Sequence, residues 1–377
     1  MAAPTVDLVA TGPPPFDPYD PDSAAWALAR AFAARGDRVN VLYPAGPTGD
    51  APPPGTTAIP IAVPLRRPGA LIEAADFAAA AGRTLRPDAE IVVRDPSGLG
   101  PLGLGRDRPY LASFVRSIAL HEFDAERGAR PVAGFADRVD AWRDRRAVRR
   151  LERMALEEPD ALFCDRPELG STLAREYGIA EGRLRPTVPP VPLLPAVASR
   201  EEARAAFGIP PDVPVAVAAA PDPRPEPSGF ELVREAFRRV RSFFPGARLV
   251  LVGAASLAEP GVVVTPSRAA SAFAAGFVAA DVALFTRRSP GFDPGVVFAM
   301  RAGVAPIVAP SVTFPVDPGP AVRRAVSDDA GDVASALAEL LADPALCREV
   351  SARGKAFAAA FDPAAIVRSI GPARVPA

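Results

Sequence analysis

The stretch "DVALFTRRSPGFDPGVVFAMRAGVAPIVAP" (281–310) carries the clearest fold signal of this chain. Residues 281–286 and 304–310 are apolar runs of the length of a buried strand. Residues 294–302 between them have the spacing of a helix, and Asp293 is a residue type that favours a helix N-cap. A strand, a helix and a second strand in this order predict a parallel βαβ unit.

The same alternation of apolar runs and helical spacing extends along the rest of the chain. The predicted strands are 5–10, 37–44, 89–94, 110–115, 161–164, 213–220, 247–253, 261–266, 281–286 and 304–310. The predicted helices are 23–36, 70–84, 136–157, 168–177, 200–209, 229–246, about 267–279, 294–302 and those within 330–359. We therefore expect an α/β protein with two doubly wound, Rossmann-like parallel-sheet domains.

A proline-rich segment divides the chain into two halves. Residues 188–198, "VPPVPLLPAVA", are too rich in Pro for a helix interior or a central strand and favour a stiff extended linker. We expect an N-terminal domain over 1–187, a C-terminal domain over 199–360, and a tail over 361–377 that packs back towards the first domain. Ligands of such folds bind outside the carboxyl ends of the strands, so we expect a site in the cleft between the domains.

Composition limits the classes of partner. With 377 residues, 49% of them hydrophobic, the chain can bury a full core. A net charge of -1 gives no general attraction to nucleic acid or to an anionic membrane. We see neither a signal peptide nor an apolar stretch of about 18 residues, so we expect no transmembrane segment and a cytoplasmic protein. Cys164, Cys347 and the single His121 do not form a metal-binding pattern, so we expect no metal ion and no cofactor.

Three runs of the second half resemble the C-terminal domain of glycosyltransferase family 4, whose enzymes have the GT-B fold. They are 207–256, which contains "FELVREAF", then 277–309, and then 336–362, which begins "ALAELLADPALCREV". The first half is similar more weakly, for example through "ALARAFAARGDRVNVLYP" (27–44). The resemblance implies a GT-B fold and, in an active member, transfer of a sugar from a nucleotide-diphosphate sugar to a hydroxyl of a glycan or small-molecule acceptor.

The two acids that bind the donor sugar and ribose in this family are missing. In the family's E-G-F-G…E frame, aligned on Gly291 and Phe292, the acidic positions carry Pro290 and Phe298. Neither side chain can accept a hydrogen bond from a hydroxyl. The sequence thus keeps the outline of the donor loop and loses its acidic side chains.

The family's cationic clamp on the donor diphosphate is at best half present. Its Arg and Lys positions fall on Pro223 and Ser228, although Arg224 lies one residue away. Arg287 and Arg288 precede the donor loop and can replace the clamp, because guanidinium groups bind phosphate in a bidentate manner. The alternative is that they form an ordinary solvated pair.

The start of the helix at 294 is a potential anion site, because a helix N-terminus presents free amides. Asp293, as N-cap, would instead occupy those amides and add its own negative charge. Both interpretations remain open at this point. The candidate donor-binding residues are Arg224, Arg287, Arg288, Gly291, Phe292, Asp293 and Gly295.

The first half also departs from the family. A Gly-Gly turn after the first strand admits phosphate in the family; here the loop is "TGPPPFDPYDPDS" (11–23), in which prolines follow Gly12. Its three acids, Asp17, Asp20 and Asp22, would repel a phosphate. The family's His position carries Val115, and His121 lies outside the frame. No catalytic residue is assigned. Residues 94–98, at the end of one predicted strand, and Asp165, directly after another, can hold an acceptor or simply form turns.

Two functions therefore remain open. The first is a divergent glycosyltransferase whose arginines replace the lost clamp. The second is a non-catalytic GT-B scaffold that binds a glycan or a protein partner, such as an active paralogue. The missing acid pair favours impaired or lost activity.

Overall fold

A computed structural model describes residues 3–15, 23–45, 51–62, 70–94, 101–105, 107–115, 118–128, 135–219, 230–254, 259–267, 269–286 and 291–371. They form two compact units. The first contains the described residues within 1–15, 24–190 and 363–377, and the second contains those within 16–23 and 191–362. Within the described residues, no helix is long and apolar enough to cross a membrane.

The first unit is built on a seven-stranded sheet in the order β3-β2-β1-β4-β5-β6-β7, and its neighbouring strands are parallel. The strands are β1 Thr5–Val9, β2 Arg38–Pro44, β3 Thr56–Ile61, β4 Ile91–Arg94, β5 Tyr110–Val115, β6 Ala161–Cys164 and β7 Leu184–Pro186. The helices are α1 Ser23–Arg35, α2 Ala70–Thr84, α3 Ala119–Gly128, α4 Phe135–Glu157 and α5 Pro167–Tyr177.

The second unit has a six-stranded parallel sheet in the order β10-β9-β8-β11-β12-β13. The strands are β8 Val215–Ala219, β9 Arg248–Val252, β10 Val262–Thr265, β11 Val282–Phe285, β12 Ala305–Val308 and β13 Arg323–Arg324. The helices are α6 Arg200–Ala206, α7 Phe230–Val240, α8 Ala270–Ala279, α9 Pro294–Arg301, α10 Ala330–Ala342 and α11 Pro344–Ala358. A last helix, α12 Pro363–Ser369, belongs to the first unit.

Both sheets reverse their strand order once, between β1 and β4 and between β8 and β11. This is the order of a doubly wound α/β fold, and the predicted fold class is confirmed. The central strands are buried along their length, as in β1, β8 and β11, because helices cover parallel sheets on both faces.

Several elements differ from the sequence prediction, among them the short edge strands β7 and β13, which were not predicted. We did not predict β3, because Pro60 lies within it; β3 is an edge strand, where Pro is tolerated. Helix α3 was also missed, and its composition is mixed and polar. Helix α7 ends at Val240 rather than 246, because the chain turns at 241–243 ahead of Pro245.

The proline-rich segment 187–198 contains no helix or strand. Arg301, at the end of α9, donates hydrogen bonds to the carbonyl oxygens of Val191 (2.9 Å), Pro192 (2.8 Å) and Phe361 (2.9 Å). Burial of this guanidinium lowers the pKa of Arg301 to about 10. The end of α9 is therefore tied to the segment that opens the second unit and to the residue near its close.

Candidate functional site

The candidate site of the second unit lies at the carboxyl ends of β8, β11 and β12, next to the point where the strand order reverses. Ligands of open parallel sheets bind at such a point. The segments that follow β8 and β11, residues 220–229 and 287–290, lie outside the described residues. The predicted clamp residues Arg224, Arg287 and Arg288 belong to these segments.

Gly291 is fixed to the chain that follows β12. The Gly291 amide donates to the carbonyl oxygen of Ser311 (3.1 Å), and the Thr313 amide donates to the carbonyl oxygen of Gly291 (3.0 Å). The pairing forms an isolated parallel bridge between Gly291 and Val312. The loop thus enters α9 along a defined path, and both backbone groups of Gly291 already have protein partners.

Phe292 belongs to an aromatic cluster of the second unit. Its ring stacks on Phe361 at 5.5 Å between centroids and meets Phe314 edge-on at 6.2 Å. Phe357 packs against both of these rings. Such pairs stabilise a fold by about 0.5–1.5 kcal/mol beyond simple burial, so Phe292 has a structural role in this cluster.

Asp293 is the N-cap of α9, as its residue type predicted. Asp293 has an extended backbone and is only 3% exposed. Its Oδ1 accepts a hydrogen bond from the Gly295 amide at 2.8 Å. The next amide, of Val296, donates to the Asp293 carbonyl oxygen at 3.2 Å. Pro294 at the first helical position has no amide hydrogen to offer. The first turn of α9 therefore has its amides occupied by its own cap.

Phe298 is part of the hydrophobic core. It is 2% exposed and packs against Phe277 of α8, with 6.3 Å between ring centroids. An acid at this position would be buried among aromatic rings rather than placed on an open surface. The substitution noticed in the sequence therefore has a packing role in this chain.

Two polar groups at the same edge were not singled out from the sequence. The Ser311 hydroxyl, after β12, donates to Asp328 Oδ1 at 2.7 Å, and the Ser311 amide donates to the same oxygen at 3.3 Å. Thr286, which follows β11, is 5% exposed. Ser311 directly follows one predicted strand and Thr286 is the last residue of another, a position that we considered only in the first half.

The matching edge of the first unit carries a buried cation. Arg94 ends β4, is 3% exposed, and lies in register with Val9 of β1 and Ser113 of β5. Asp165 follows β6 and lies 3.4 Å from Arg166. Arg94 and Asp165 are both among the acceptor-side residues that the sequence suggested.

The other residues considered in the first unit have ordinary environments. Val115 is buried, and the Gly12 carbonyl oxygen accepts a hydrogen bond from the Trp26 indole at 3.1 Å. The acids at 17, 20 and 22 lie outside the described residues. His121 is an exposed residue of α3, 3.0 Å from Glu176. Burial raises the pKa of the Cys164 thiol to about 11, which makes it an unreactive core residue.

No group of three or more His, Cys, Asp or Glu that could hold a metal ion occurs within the described ranges. The described part of the candidate site in the second unit consists of backbone groups, hydroxyls, carboxylates and aromatic rings.

No protein-family model matches the chain, and no curated protein matches it by sequence. Solved structures do match it. Sucrose-phosphate synthase from Thermosynechococcus elongatus is 18% identical, with a TM-score of 0.66 and 97% of both chains covered. WaaG, a glycosyltransferase involved in lipopolysaccharide biosynthesis, is 16% identical, with a TM-score of 0.66 over 97% of this chain and 98% of that one. Anabaena HepE, in complex with UDP and glucose, is 12% identical, with a TM-score of 0.63 and 97% of both chains covered.

The chain therefore has the GT-B fold, and its similarity to solved glycosyltransferases extends over nearly its whole length. Because the sequence identities are below 20%, the structural similarity establishes the fold and not an activity. The GT-B resemblance noticed in the sequence is confirmed at the level of fold.

Proposed function

We propose that this protein is a GT-B protein of the glycosyltransferase family 4 type with a weakened donor site. In this proposal it binds nucleotide-diphosphate sugars poorly and transfers sugar to a hydroxyl acceptor slowly or not at all. The observation that carries the proposal is the start of α9. Pro294 lacks an amide hydrogen, and the amides of Gly295 and Val296 both donate to Asp293.

The charge of Asp293 reinforces this effect. A helix N-terminus attracts a phosphate because its amides are free and its dipole is positive. Here a buried carboxylate lies 2.8 Å from the amide nitrogen that a diphosphate would need. In the E-G-F-G frame, Asp293 stands where the family has its second Gly, so the loop has exchanged an open position for an anionic one.

The missing side chains account for a large loss of affinity. A hydrogen bond to a charged group contributes about 1.5–3 kcal/mol. Loss of two acids and of the Arg-Lys clamp removes on the order of 6 kcal/mol, or about 10⁴-fold in affinity or rate. Arg224, Arg287 and Arg288 are the proposed residual cations of the donor side, and Arg94 and Asp165 are the proposed acceptor-side residues.

Isothermal titration of the full chain with UDP, GDP and ADP tests the proposal. We expect Kd values of about 1 mM or weaker. Incubation with the corresponding hexose donors should release no nucleoside diphosphate above the rate without protein. A micromolar Kd for the wild type, lost in an Arg287→Ala/Arg288→Ala variant, would instead identify an active enzyme with a relocated clamp.

Asp293→Gly tests the start of α9 directly. The substitution removes the buried charge and releases an amide, so affinity for the best-bound nucleotide should rise about tenfold or more. Gly is tolerated as an N-cap, so the helix should persist. Asp343→Gly, at the N-cap of α11, is the matched control and should leave affinity unchanged. Equal affinities of wild type and Asp293→Gly would contradict this role for Asp293.

The alternative is a non-catalytic GT-B scaffold that binds a glycan or an active paralogue. The occupied first turn of α9 favours it as well, because such a scaffold needs no open diphosphate site. If Asp293→Gly also fails to bind any nucleotide, the result favours the scaffold over the weakened enzyme. A gene for an intact family 4 enzyme beside this one would then support the partner role.

A further inference from the structure

A surface on α4 has a composition unlike the rest of this nearly neutral chain. Trp142 is 60% exposed, although Trp is seldom left in water. Residues at i, i+4, i+7, i+8 and i+11 share one face of a helix. Counted from Trp142, these positions are Arg146, Arg149, Arg150 and Arg153. We call these five residues, together with the neighbouring Arg143, the basic face of α4.

A neighbouring face of α4 anchors the helix to the rest of the first unit. Val148 and Leu156 are buried in a cluster with Leu162 of β6 and Leu173 of α5. Glu152 is also buried, and it accepts hydrogen bonds from the first amides of α3. Because its apolar side is already covered, α4 presents the basic face to solvent as a fixed feature.

The guanidinium groups of the basic face are largely uncompensated by acids. In the part of the chain that the structure describes, Arg143, Arg149 and Arg150 form no ion pair, and the pair of Arg153 with Glu157 spans 4.0 Å. The Arg146 guanidinium lies over the Trp142 ring, 5.6 Å from its centroid. The net charge of the whole chain is only -1, whereas the six residues of the basic face include five arginines and no acid.

We propose that the basic face of α4 binds an anionic lipid surface. Guanidinium groups pair with lipid phosphates, and basic side chains are attracted to anionic membranes. An indole favours the headgroup level, where its ring is buried and its N–H stays hydrated. Met154, 39% exposed near the end of the helix, adds apolar area. Trp142 to Arg153 span about 17 Å of helix, a length suited to contact with a flat surface.

This inference is independent of the nucleotide site. It concerns helix α4 lying parallel to a membrane surface. The helix binds through its exposed side chains, and the folded unit does not change. The exposed indole and thioether beside the arginines favour a lipid surface over nucleic acid. Contacts with the phosphates of a nucleic acid need only the charged groups, whereas a lipid surface also accepts apolar side chains.

Cosedimentation of the full chain with vesicles tests the proposal. We expect binding to phosphatidylcholine mixed with phosphatidylglycerol, weak binding to phosphatidylcholine alone, and release at high salt because screening shortens the electrostatic range. An Arg143→Gln/Arg146→Gln/Arg150→Gln variant should bind on the order of a hundredfold more weakly.

The matched control changes the same charge elsewhere. Arg238, Arg239 and Arg353 are exposed arginines of the second unit, and their replacement by Gln should leave vesicle affinity within about twofold. Both variants should melt close to the wild type, since surface substitutions alter stability by about 0.5 kcal/mol or less.

Fluorescence provides a second readout, because the chain has 2 Trp. Trp26 is buried, whereas Trp142 is exposed. Anionic vesicles should shift the emission to shorter wavelength, brominated lipids should quench it, and Trp142→Phe should abolish both effects. Absence of vesicle binding, equal loss in the control variant, or tighter binding to an RNA homopolymer than to vesicles would overturn the proposal.

Discussion

At Gly82, α2 and the loop 101–105 approach so closely that no side chain fits between them. A Cβ atom at this position would lie 1.8 Å from the carbonyl oxygen of Leu102. Glu158 holds that loop in place by accepting hydrogen bonds from the amides of Leu102 (2.7 Å) and Leu104 (2.9 Å). Gly82 therefore permits the close contact between α2 and the loop, and Glu158 holds the loop in that position.

Gly82→Ala should destabilise the first unit. Backbone must move to admit the methyl group, which costs about 1–3 kcal/mol and exceeds the usual gain of Ala in a helix. We expect the thermal midpoint to fall by several degrees, measured by Trp fluorescence. Gly170→Ala in α5 is the control: its nearest atom is 4.0 Å away, so it should stabilise by about 0.5–1 kcal/mol. A neutral Gly82→Ala would contradict the packing.

Helix α3 owes its start to a side chain from another helix. Glu152 of α4 accepts hydrogen bonds from the amides of Ala119 (2.6 Å) and Leu120 (3.3 Å) and from the Tyr177 hydroxyl. Along the chain both Glu152 and Glu158 lie close to arginines, yet in the fold both carboxylates accept hydrogen bonds from backbone amides of other segments. Helical spacing identifies possible neighbours on one helix, whereas these carboxylates cap backbone elsewhere in the fold.

Glu152→Gln should show that the ionisation of Glu152 makes the stability of the fold depend on pH. Burial raises the pKa of Glu152 above its ordinary value, despite the hydrogen bonds from Tyr177 and the two amides. The folded state then binds the proton more tightly than the unfolded state, so wild-type stability falls as pH rises from about 4.3 through the raised value. Glutamine does not titrate and lacks this loss.

We therefore expect the melting temperature of Glu152→Gln, relative to wild type, to increase by a few degrees between pH 4 and pH 7. Scanning calorimetry at several pH values provides the measurement. Glu157→Gln, an exposed glutamate of the same helix, controls for the change in net charge. A difference that stays constant or shrinks towards pH 7 would show that ionised Glu152 is not the destabilised form.

The two units differ in how the chain builds them. The first is assembled from three separate pieces, because α12 contributes Ile366 and Val367, and the residue after it contributes Ile370, to the core around β1 and α1. Both tryptophans, Trp26 and Trp142, also belong to the first unit. Fluorescence thus reports the first unit alone, while circular dichroism reports both.

Ile366→Ala should destabilise the first unit by about 2–5 kcal/mol, because it removes a buried side chain and leaves a cavity. We expect the fluorescence transition to occur at lower denaturant, with part of the dichroism signal unchanged. Leu337→Ala, in the core of the second unit, is the counterpart and should shift dichroism without the early fluorescence change. Coincident shifts of both probes in both variants would show that the units unfold as one.

The sequence alone predicted most strands and helices and the doubly wound class, because apolar periodicity and caps such as Asp293 depend on neighbours along the chain. Strand β3 was missed because its Pro60 is acceptable only at a sheet edge, which topology alone reveals. Tertiary packing placed Phe298 against Phe277 and joined Ser311 to Asp328 across 17 positions. Such contacts form only when elements that are distant in sequence pack together, so the local sequence pattern does not predict them.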